Sequence, residues 1–433
     1  MNNYRPISVT SVFSKIIEKI IKKRMLSFIN KYVLYDEFQY GFLKNSSTLS
    51  ATVDFINFVS WALDDNNIVV AVFVDLRKAF DVVSFDKLFK KLEKMGFRGI
   101  ILSLIKTFLE NRQQYVTINN VNSGKLSSTC GMPQGSVLGP LLYSIYVYNL
   151  HRANLSAQYF SFADDTVLVY TGTSERTLNS DINADLKSYL NWLYSNKLKI
   201  NIDKTKYIVF KQKNKDVFNM DLKIKDTLLQ QVSEIKYLGL IVDEKLGWYE
   251  HINHIKEKIV PMIPVLFKCR NYLTKKTKNN VYNAFFLSNL RYLLPVWGTC
   301  SKTNFNSMKT LQNKILKILY EYDRLTPSEI LYRELSVVGL DGLLGLEQCK
   351  LIHKILNKKQ KSNVNIILHN EVHDYGTRAR NNIYPTSART NVGLKNPIVN
   401  ASSTYNRLPV NLKSIKNHNT YLRECKKYFC LNS

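Results

Sequence analysis

The sequence predicts an α+β fold, and three observations carry that reading. Ile68–Val74 is seven apolar residues in a row, rich in β-branched types, with the length and texture of a strand buried on both faces. Two apolar arms, 157–163 and 166–170, flank Asp164-Asp165 as the halves of a hairpin. Around these run long stretches with helical periodicity, over 11–31, 178–197 and 251–322.

The elements follow in order. Over 11–31, Val12, Phe13, Ile16, Ile17, Ile20 and Ile21 recur at helical spacing, with Lys15, Lys19, Lys22 and Lys23 opposite. Ser11 is placed to cap the start. A basic amphipathic helix can lie on a membrane; packing on a core with a solvated basic face is the more common outcome and is expected here. A polar break at 41–48 precedes a second helix over about 49–63. After the 68–74 strand, 84–95 and 99–110 read as helices punctuated by Gly96 and Gly99. Short strands are expected at 114–118 and 125–129 around an Asn119-Asn120 turn, then an apolar core helix over 138–150. The 178–197 helix turns Trp192 and Leu193 inward. Strands are read at 207–210, 222–224 and 237–242, then basic helices from His251 to about Tyr322. From His373 the chain is polar, basic and poorly periodic, and is expected to form a loose module or a nucleic-acid-contacting tail.

The length of 433 residues suffices for two or three domains, and a hydrophobic fraction of 45% excludes disorder throughout. Sixty-one Lys and Arg stand against 34 Asp and Glu, a formal charge of +27. A Lys- and Asn-biased genome would inflate the basic count but would not keep acidic residues scarce. The excess points to a polyanionic partner, nucleic acid first. The six cysteines, at 130, 269, 300, 349, 425 and 430, form no Cys-x-x-Cys, which leaves a zinc knuckle unsupported. The opening residues carry no apolar core of a secretion signal, and no apolar run approaches a membrane span of about 18–20 residues. An intracellular setting, nucleus and cytoplasm, with reduced cysteines and no membrane is expected.

In so basic a chain, carboxylates at strand ends need a reason. Asp75 ends the buried strand, and Asp164 and Asp165 sit at the hairpin tip. Adjacent carboxylates repel, and Asn-Gly or Asp-Gly is the comfortable hairpin turn. Alone, an Asp-Asp turn is a solvated turn and Asp75 a helix cap. Together, in strand context, the three form a candidate site for two divalent cations that handle a triphosphate. Gly131, Pro133, Gly135, Gly139 and Pro140 shape a loop before the apolar helix, where glycines permit close approach by a base or sugar.

These segments resemble the reverse transcriptases of non-LTR retrotransposons, in particular jockey-like elements. The matching runs are Asn3-Tyr4-Arg5-Pro6-Ile7-Ser8, Gln39-Tyr40-Gly41-Phe42 with Ser47-Thr48, Asp75 through Asp81, Gly131 through Pro140, Phe162-Ala163-Asp164-Asp165, Asn201 through Lys206, and Tyr237-Leu238-Gly239. Tyr375-Gly376-Thr377-Arg378 resembles the element's C-terminal region. The resemblance implies a polymerase right hand: partial fingers over 1–66, and a palm with interleaved fingers elements and a primer-grip-like segment over 67–250. A helical thumb-like region over 251–330 and a basic C-terminal region over 331–433 complete it. It implies RNA-directed DNA polymerase activity with two Mg2+ ions, Mn2+ being an alternative, and an RNA template, a DNA primer and dNTP as partners. Asp75, Asp164 and Asp165 would hold the metals, within one cluster. Phe80 would sit under the sugar and exclude a 2′-hydroxyl. Gln134 would contact the nucleotide and template, and Lys204 would protonate the leaving pyrophosphate. Asp81 would be structural, beginning the helix after the strand.

The sequence departs from the pattern where the family places Arg after Gly-Phe: Leu43 stands there, followed by Lys44, which offers charge to the triphosphate but no bidentate fork. The start at Asn2-Asn3-Tyr4 reads as a truncated open reading frame, without the preceding fingers segment and the upstream endonuclease. Two functions are therefore carried forward: an active reverse transcriptase, and a catalytically silent remnant that only binds nucleic acid.

Overall fold

The computed structural model describes residues 7–32, 36–110, 112–210, 220–372, 380–385 and 387–431. Residues 3–6 of the first motif and 375–378 of the last lie outside them. In chain order, α1 (Val12–Tyr32) and α2 (Thr48–Asp64) precede β1 (Ile68–Val74), and α3 (Phe85–Lys94) and α4 (Ile100–Leu109) follow. Next come β2 (Gln113–Gln114), β3 (Thr117–Ile118), β4 (Val121–Asn122) and β5 (Leu126–Ser127). These nest as β2 on β5 and β3 on β4, around the expected turn at Asn119 and Asn120, both at positive φ. Then follow α5 (Gly139–Val147), the hairpin β6 (Gln158–Phe162) and β7 (Asp165–Gly172), and α6 (Glu175–Ser195). The strands β8 (Lys206–Phe210), β9 (Lys223–Ile224), β10 (Thr227–Leu228), β11 (Gln230–Gln231), β12 (Glu234–Tyr237) and β13 (Leu240–Asp243) lead to α7 (Tyr249–Ile259), α8 (Met262–Cys269) and α9 (Lys275–Val281). The mixture is α+β, as expected.

The chain forms two compact units. The first takes Met1–Thr48, Val70–Tyr207 and Val217–Val232; the second takes Leu49–Val69, Ile208–Asp216 and Ser233–Ser433. The sheet order is β11-β8-β1-β7-β6, so β1 is central, and every one of its residues is buried. That is the outcome its unbroken apolar run requires. Helix α6 packs on β7 and buries Leu186, Tyr189, Trp192 and Leu193, as expected.

Helix α1 is capped by Ser11, whose Oγ accepts from the Ser14 amide at 3.1 Å. Its orientation corrects the sequence reading. The buried face is Glu18, Ile21, Met25 and Ile29, while Val12, Phe13, Ile16, Ile17 and Ile20 are exposed. The reason is electrostatic. Glu18 is only 2% exposed, and its Oε2 accepts from the amides of Val137 and Leu138, at 2.6 and 2.9 Å, just before α5. Those amides have no partner within the helix, and a carboxylate there is favoured. Anchoring Glu18 rotates the isoleucine stripe outward.

Lys91 on α3 fastens the other end of α5. Its Nζ donates to the Tyr146 carbonyl and to Asn149 Oδ1 (2.8 Å), and lies 4.9 Å from the centre of the Tyr146 ring. Cations at a helix C-terminus are favoured, but this one is half-buried and its acceptors are neutral. Burial, with Lys87 and Arg152 adding repulsion, pushes its pKa down from 10.5 to about 7.

In the second unit, 237–242 is not one strand. Leu238 and Gly239 both have positive φ and turn β12 back on β13. The Tyr292 hydroxyl donates to the Leu238 carbonyl at 2.6 Å, and a Cβ on Gly239 would come within 3.0 Å of the Tyr292 ring. The C-terminal residues are likewise not loose. Helices Leu340–Leu356, Pro397–Asn406 and His418–Leu431 pack together around Leu343, Ile352, Ile398, Ala401, Tyr405 and Tyr421. Helix α2 is tied to the same unit: Asp54 accepts from Ser362 Oγ (2.7 Å) and the Asn363 amide (2.8 Å), and Asp64 from the Thr390 amide (2.7 Å).

The Lys91 cage makes a prediction. Because the folded-state pKa lies below that of the unfolded chain, unfolding takes up a proton between about pH 7 and 10.5, and stability rises with pH across that window. Lys91→Met removes this contribution. Urea melts at pH 7.0, 8.0 and 9.0 should show the variant gaining on the wild type most at pH 7.0, with the gap closing as pH rises. Parallel curves would show that Lys91 sheds no proton-linked cost on folding.

Candidate active site

Where β1 ends, the chain leaves the core and Asp75 emerges half-buried. Its carboxylate is held from one side: Asn201 Nδ2 donates to Asp75 Oδ2 at 2.8 Å. The backbone is pinned as well, since the Asn201 amide donates to the Asp75 carbonyl (2.8 Å) and the Arg77 amide to the Lys199 carbonyl (2.8 Å). Beyond it, Asp75, Arg77, Lys78, Phe80, Asp81, Pro133, Gln134, Asp164, Lys199, Asn201, Asp203 and Lys204 line one cleft of about 960 Å³ in the first unit. Five of the seven candidate site residues read from the sequence, Asp75, Asp164, Phe80, Gln134 and Lys204, thus share a single cavity, together with Asp81.

The hairpin that delivers Asp164 is set by close backbone approach. Phe162 pairs with Asp165, leaving Ala163, at φ 60°, and Asp164 as the two-residue turn. The amides of Gly41 and Ala163 both donate to Gln39 Oε1, at 2.8 and 3.0 Å. A Cβ on Gly41 would lie 2.3 Å from the Ala163 nitrogen, so only glycine fits. The Gln39-Tyr40-Gly41 run therefore shapes the turn bearing Asp164.

The Gly131–Pro140 loop is stitched to the residues after β1 in the same way. The Gly131 amide donates to the Val83 carbonyl and the Met132 amide to the Phe80 carbonyl, both at 2.8 Å. Gly131 has φ 81°, and a Cβ there would lie 2.5 Å from the Asp81 carbonyl oxygen. Gln134 Nε2 donates to Asp81 Oδ1 at 2.8 Å. Asp81 does not begin a helix: α3 starts at Phe85, after Ser84, and Asp81 faces the cleft instead. Its side chain is needed there to fix the Gln134 amide.

Phe80 lies over a support that the sequence did not single out. Its ring stacks on Tyr143 of α5, with centroids 4.3 Å apart and planes 20° apart, and meets Phe42 edge-on at 6.4 Å. The Tyr143 side chain is fully buried, and its hydroxyl makes no hydrogen bond among the described residues. Burial pushes its ionisation well above the usual range, and the Asp164 carboxylate adds to the effect. Asn201 and Lys199 were also missed as individuals. Asn201 could have been flagged from its place in the polar 201–206 run; Tyr143 gives no signal in an apolar helix.

Three expectations are not met in this geometry. Asp165 opens β7, is exposed and does not line the cleft. Asp164 belongs to the turn and Asp165 to the strand that follows, so adjacency in sequence does not put both carboxylates on the cleft. Lys44 is exposed and is not among the lining residues. Among the described residues, no three His, Cys, Asp or Glu side chains gather closely enough to hold a metal ion. The donor chemistry still fits Mg2+, which takes one or two carboxylates together with substrate phosphates rather than an all-protein cage. Asp75 and Asp164 supply such a set, at the rim of one cleft.

The family model described as "Reverse transcriptase (RNA-dependent DNA polymerase)" matches residues 1–242. The chain belongs to the reverse transcriptase family. Among curated relatives, it is 28% identical over 345 residues to the probable RNA-directed DNA polymerase from transposon BS of Drosophila melanogaster, covering 77% of this chain and 38% of that protein. It is also 28% identical over 327 residues to the RNA-directed DNA polymerase from mobile element jockey of the same species, covering 73% and 35%. The resemblance to jockey-like non-LTR elements is borne out, and the chain spans little more than a third of these relatives' length. Among solved structures, telomerase from Candida albicans in complex with a fragment of telomeric RNA aligns at a TM-score of 0.37 and 16% identity, over 80% of this chain and 56% of that one. That likeness is too slight to build on. No helix among the described residues is long and apolar enough to cross a membrane.

Gly131 yields a stability prediction. Gly131→Ala puts a Cβ into the Asp81 backbone at a positive φ, so the loop must move or strain. A loss of about 1–3 kcal/mol in chemical denaturation is expected. An unchanged midpoint would show that the loop and the post-β1 turn are not tightly coupled.

Proposed function

We propose that this chain carries out RNA-templated DNA synthesis. The observation that carries the reading is the convergence of Asp75, Asp164, Phe80, Gln134 and Lys204 on one cleft, in a chain whose first 242 residues match the reverse transcriptase family. The sheet with α5 and α6 would act as the palm, the residues around α1 and Gln39–Lys44 as part of the fingers, and the helices from α7 onward as thumb and C-terminal region. Divalent-metal dependence goes with the family; the ions would be Mg2+, with Mn2+ able to replace it, held by Asp75 and Asp164, and Asp165 would join them only by turning its side chain in to the cleft.

In the reaction, the primer 3′-oxygen bonds to the α-phosphorus of a dNTP. The bond from that phosphorus to the bridging oxygen breaks, and pyrophosphate leaves. When bound, the metal ions neutralise phosphate charge and ease loss of the hydroxyl proton. The chain's own residues do the rest. Asn201 fixes the Asp75 carboxylate, so the site has little to reorganise during the reaction. Phe80, backed by Tyr143, fills the space that a 2′-hydroxyl would need. Asp81 holds Gln134 so that the 131–140 loop presents a fixed edge to the nucleotide. Lys204, exposed at the cleft, can donate a proton to the departing pyrophosphate. Lys44 lies outside the lining and would reach a triphosphate only by moving.

The test is primer extension on an RNA template with Mg2+. Extension is expected, and Asp164→Asn should lower it by at least about a hundredfold while leaving nucleic-acid affinity nearly intact. That affinity should fall steeply with salt, because it rests on many distributed cations. Phe80→Ala should incorporate ribonucleotides more readily. Salt-sensitive binding without any extension would favour the silent remnant; unchanged sugar discrimination would remove Phe80 from the gate.

A further inference from the structure

Between Glu257 and Glu321 the sequence holds eleven Lys and Arg and no acidic residue. Within this stretch, α8 packs on the Lys302–Tyr320 helix through Leu266, which is buried. The next residue along the helix, Phe267, is turned outward and is 56% exposed. The turn that follows, Arg270–Tyr272, leaves Tyr272 88% exposed. Arg270 lies over the Phe267 ring at 3.7 Å from its centroid, and its Nη1 donates to the Phe267 carbonyl at 3.2 Å. Lys268, Lys275 and Lys276 are exposed nearby and make no ion pair among the described residues. Other cations of the stretch do find carboxylates: Lys278 pairs with Glu321 at 2.6 Å and Lys309 with Asp341 at 2.5 Å.

Two large aromatic faces in water, one already carrying a guanidinium and both amid unpaired lysines, form a platform that is apolar in its centre and cationic around it. Single apolar side chains at a surface need no explanation, but this combination has one. Phosphates match the lysines, and the flat faces of bases match the rings. In a duplex those base faces are already stacked on one another, so only an unpaired strand can offer them.

We propose that Phe267, Arg270 and Tyr272 form a stacking platform for an unpaired stretch of nucleic acid, RNA or DNA. Its phosphates would run against Lys268, Lys275 and Lys276. This goes beyond the polymerase reading, because it uses no residue of the cleft. It sorts the contacts of the basic helices into two kinds: charge, which takes any strand, and stacking, which takes single strands only.

Fluorescence anisotropy with labelled single-stranded RNA, the same sequence as single-stranded DNA, and an RNA–DNA duplex tests it on the full chain. Both side chains are exposed, so Phe267→Ala and Tyr272→Ala should fold normally. Each should weaken single-strand binding about tenfold, with duplex affinity and the salt slope unchanged, since no charge is removed. Lys275→Gln with Lys276→Gln should weaken both and reduce the slope. An RNA-only loss would narrow the ligand to RNA and still support the platform. Equal loss on duplex and single strand, or no loss on either, would overturn it, the latter leaving the rings to a protein partner. Asp164→Asn separates the two readings: it should lose extension and keep single-strand binding, so an inactive chain does not by itself decide the platform.

Discussion

Everything in the first unit hangs on the way β1 ends. Seven consecutive buried residues at the centre of a sheet leave no room for a charge, so the first carboxylate after them must come out at the rim. There it meets Asn201, whose side-chain amide donates to the carboxylate and whose backbone amide donates to the Asp75 carbonyl. The strand thus fixes the height of Asp75, and the 201–206 segment fixes its direction. No metal is needed for that much order. An acid whose position is set by the hydrophobic core and a neutral amide is already close to where a reacting phosphate would need it.

The other walls of the cleft are positioned by absence of side chain. Gly41 lets the 38–41 segment lie against the Ala163 nitrogen, and Gly131 lets its loop lie against the Asp81 carbonyl. Each glycine brings two backbones closer than any Cβ allows, and in each case one of them carries a cleft residue. This couples distant stretches of sequence more tightly than side-chain packing could. A lost methyl is a stiffer constraint than a gained contact, because nothing can rotate away to relieve it.

What was legible in the sequence follows from which physical signal dominated locally. The strand 68–74 was read to the residue, and the 157–170 hairpin and the 178–197 helix to within three residues at each end, because there burial alone decides the pattern. Helix α1 was found, but its inner face was read from its isoleucines, whereas a single glutamate on two backbone amides decided it. The apolar run 237–242 hid a tight turn, because Leu238 accepts a positive φ without announcing it as Asn or Asp would. The C-terminal helices were missed because their buried faces are small or mixed, Pro397, Ile398, Ala401, Ser402 and Tyr405 in one and Tyr421 and Cys425 in the last, so no apolar period stands out. Within the site, the motif residues were legible and how they are held was not: Tyr143 under Phe80 stood unmarked in an apolar helix, and the contact of the motif residue Gln39 with the Ala163 amide is one that no spacing encodes.

Leu43 bears on how the two readings of function divide. A leucine cannot hold a triphosphate, and its neighbour Lys44 is exposed and not among the residues lining the cleft. The cleft is not left without cations, however. Lys78, Lys199 and Lys204 all line it, and Arg77 is partly occupied by Asp203 at 3.5 Å. Three lysines provide charge without the planar fork of an arginine. If the chain takes a triphosphate as proposed, these lysines would attract it through their charge, yet would orient it less firmly than an arginine fork. Attraction acts at long range through summed charge, while orientation requires particular donors at particular angles. A cost confined to orientation would show in turnover more than in nucleotide affinity, which is the signature of an enzyme that binds its substrates well and uses them slowly.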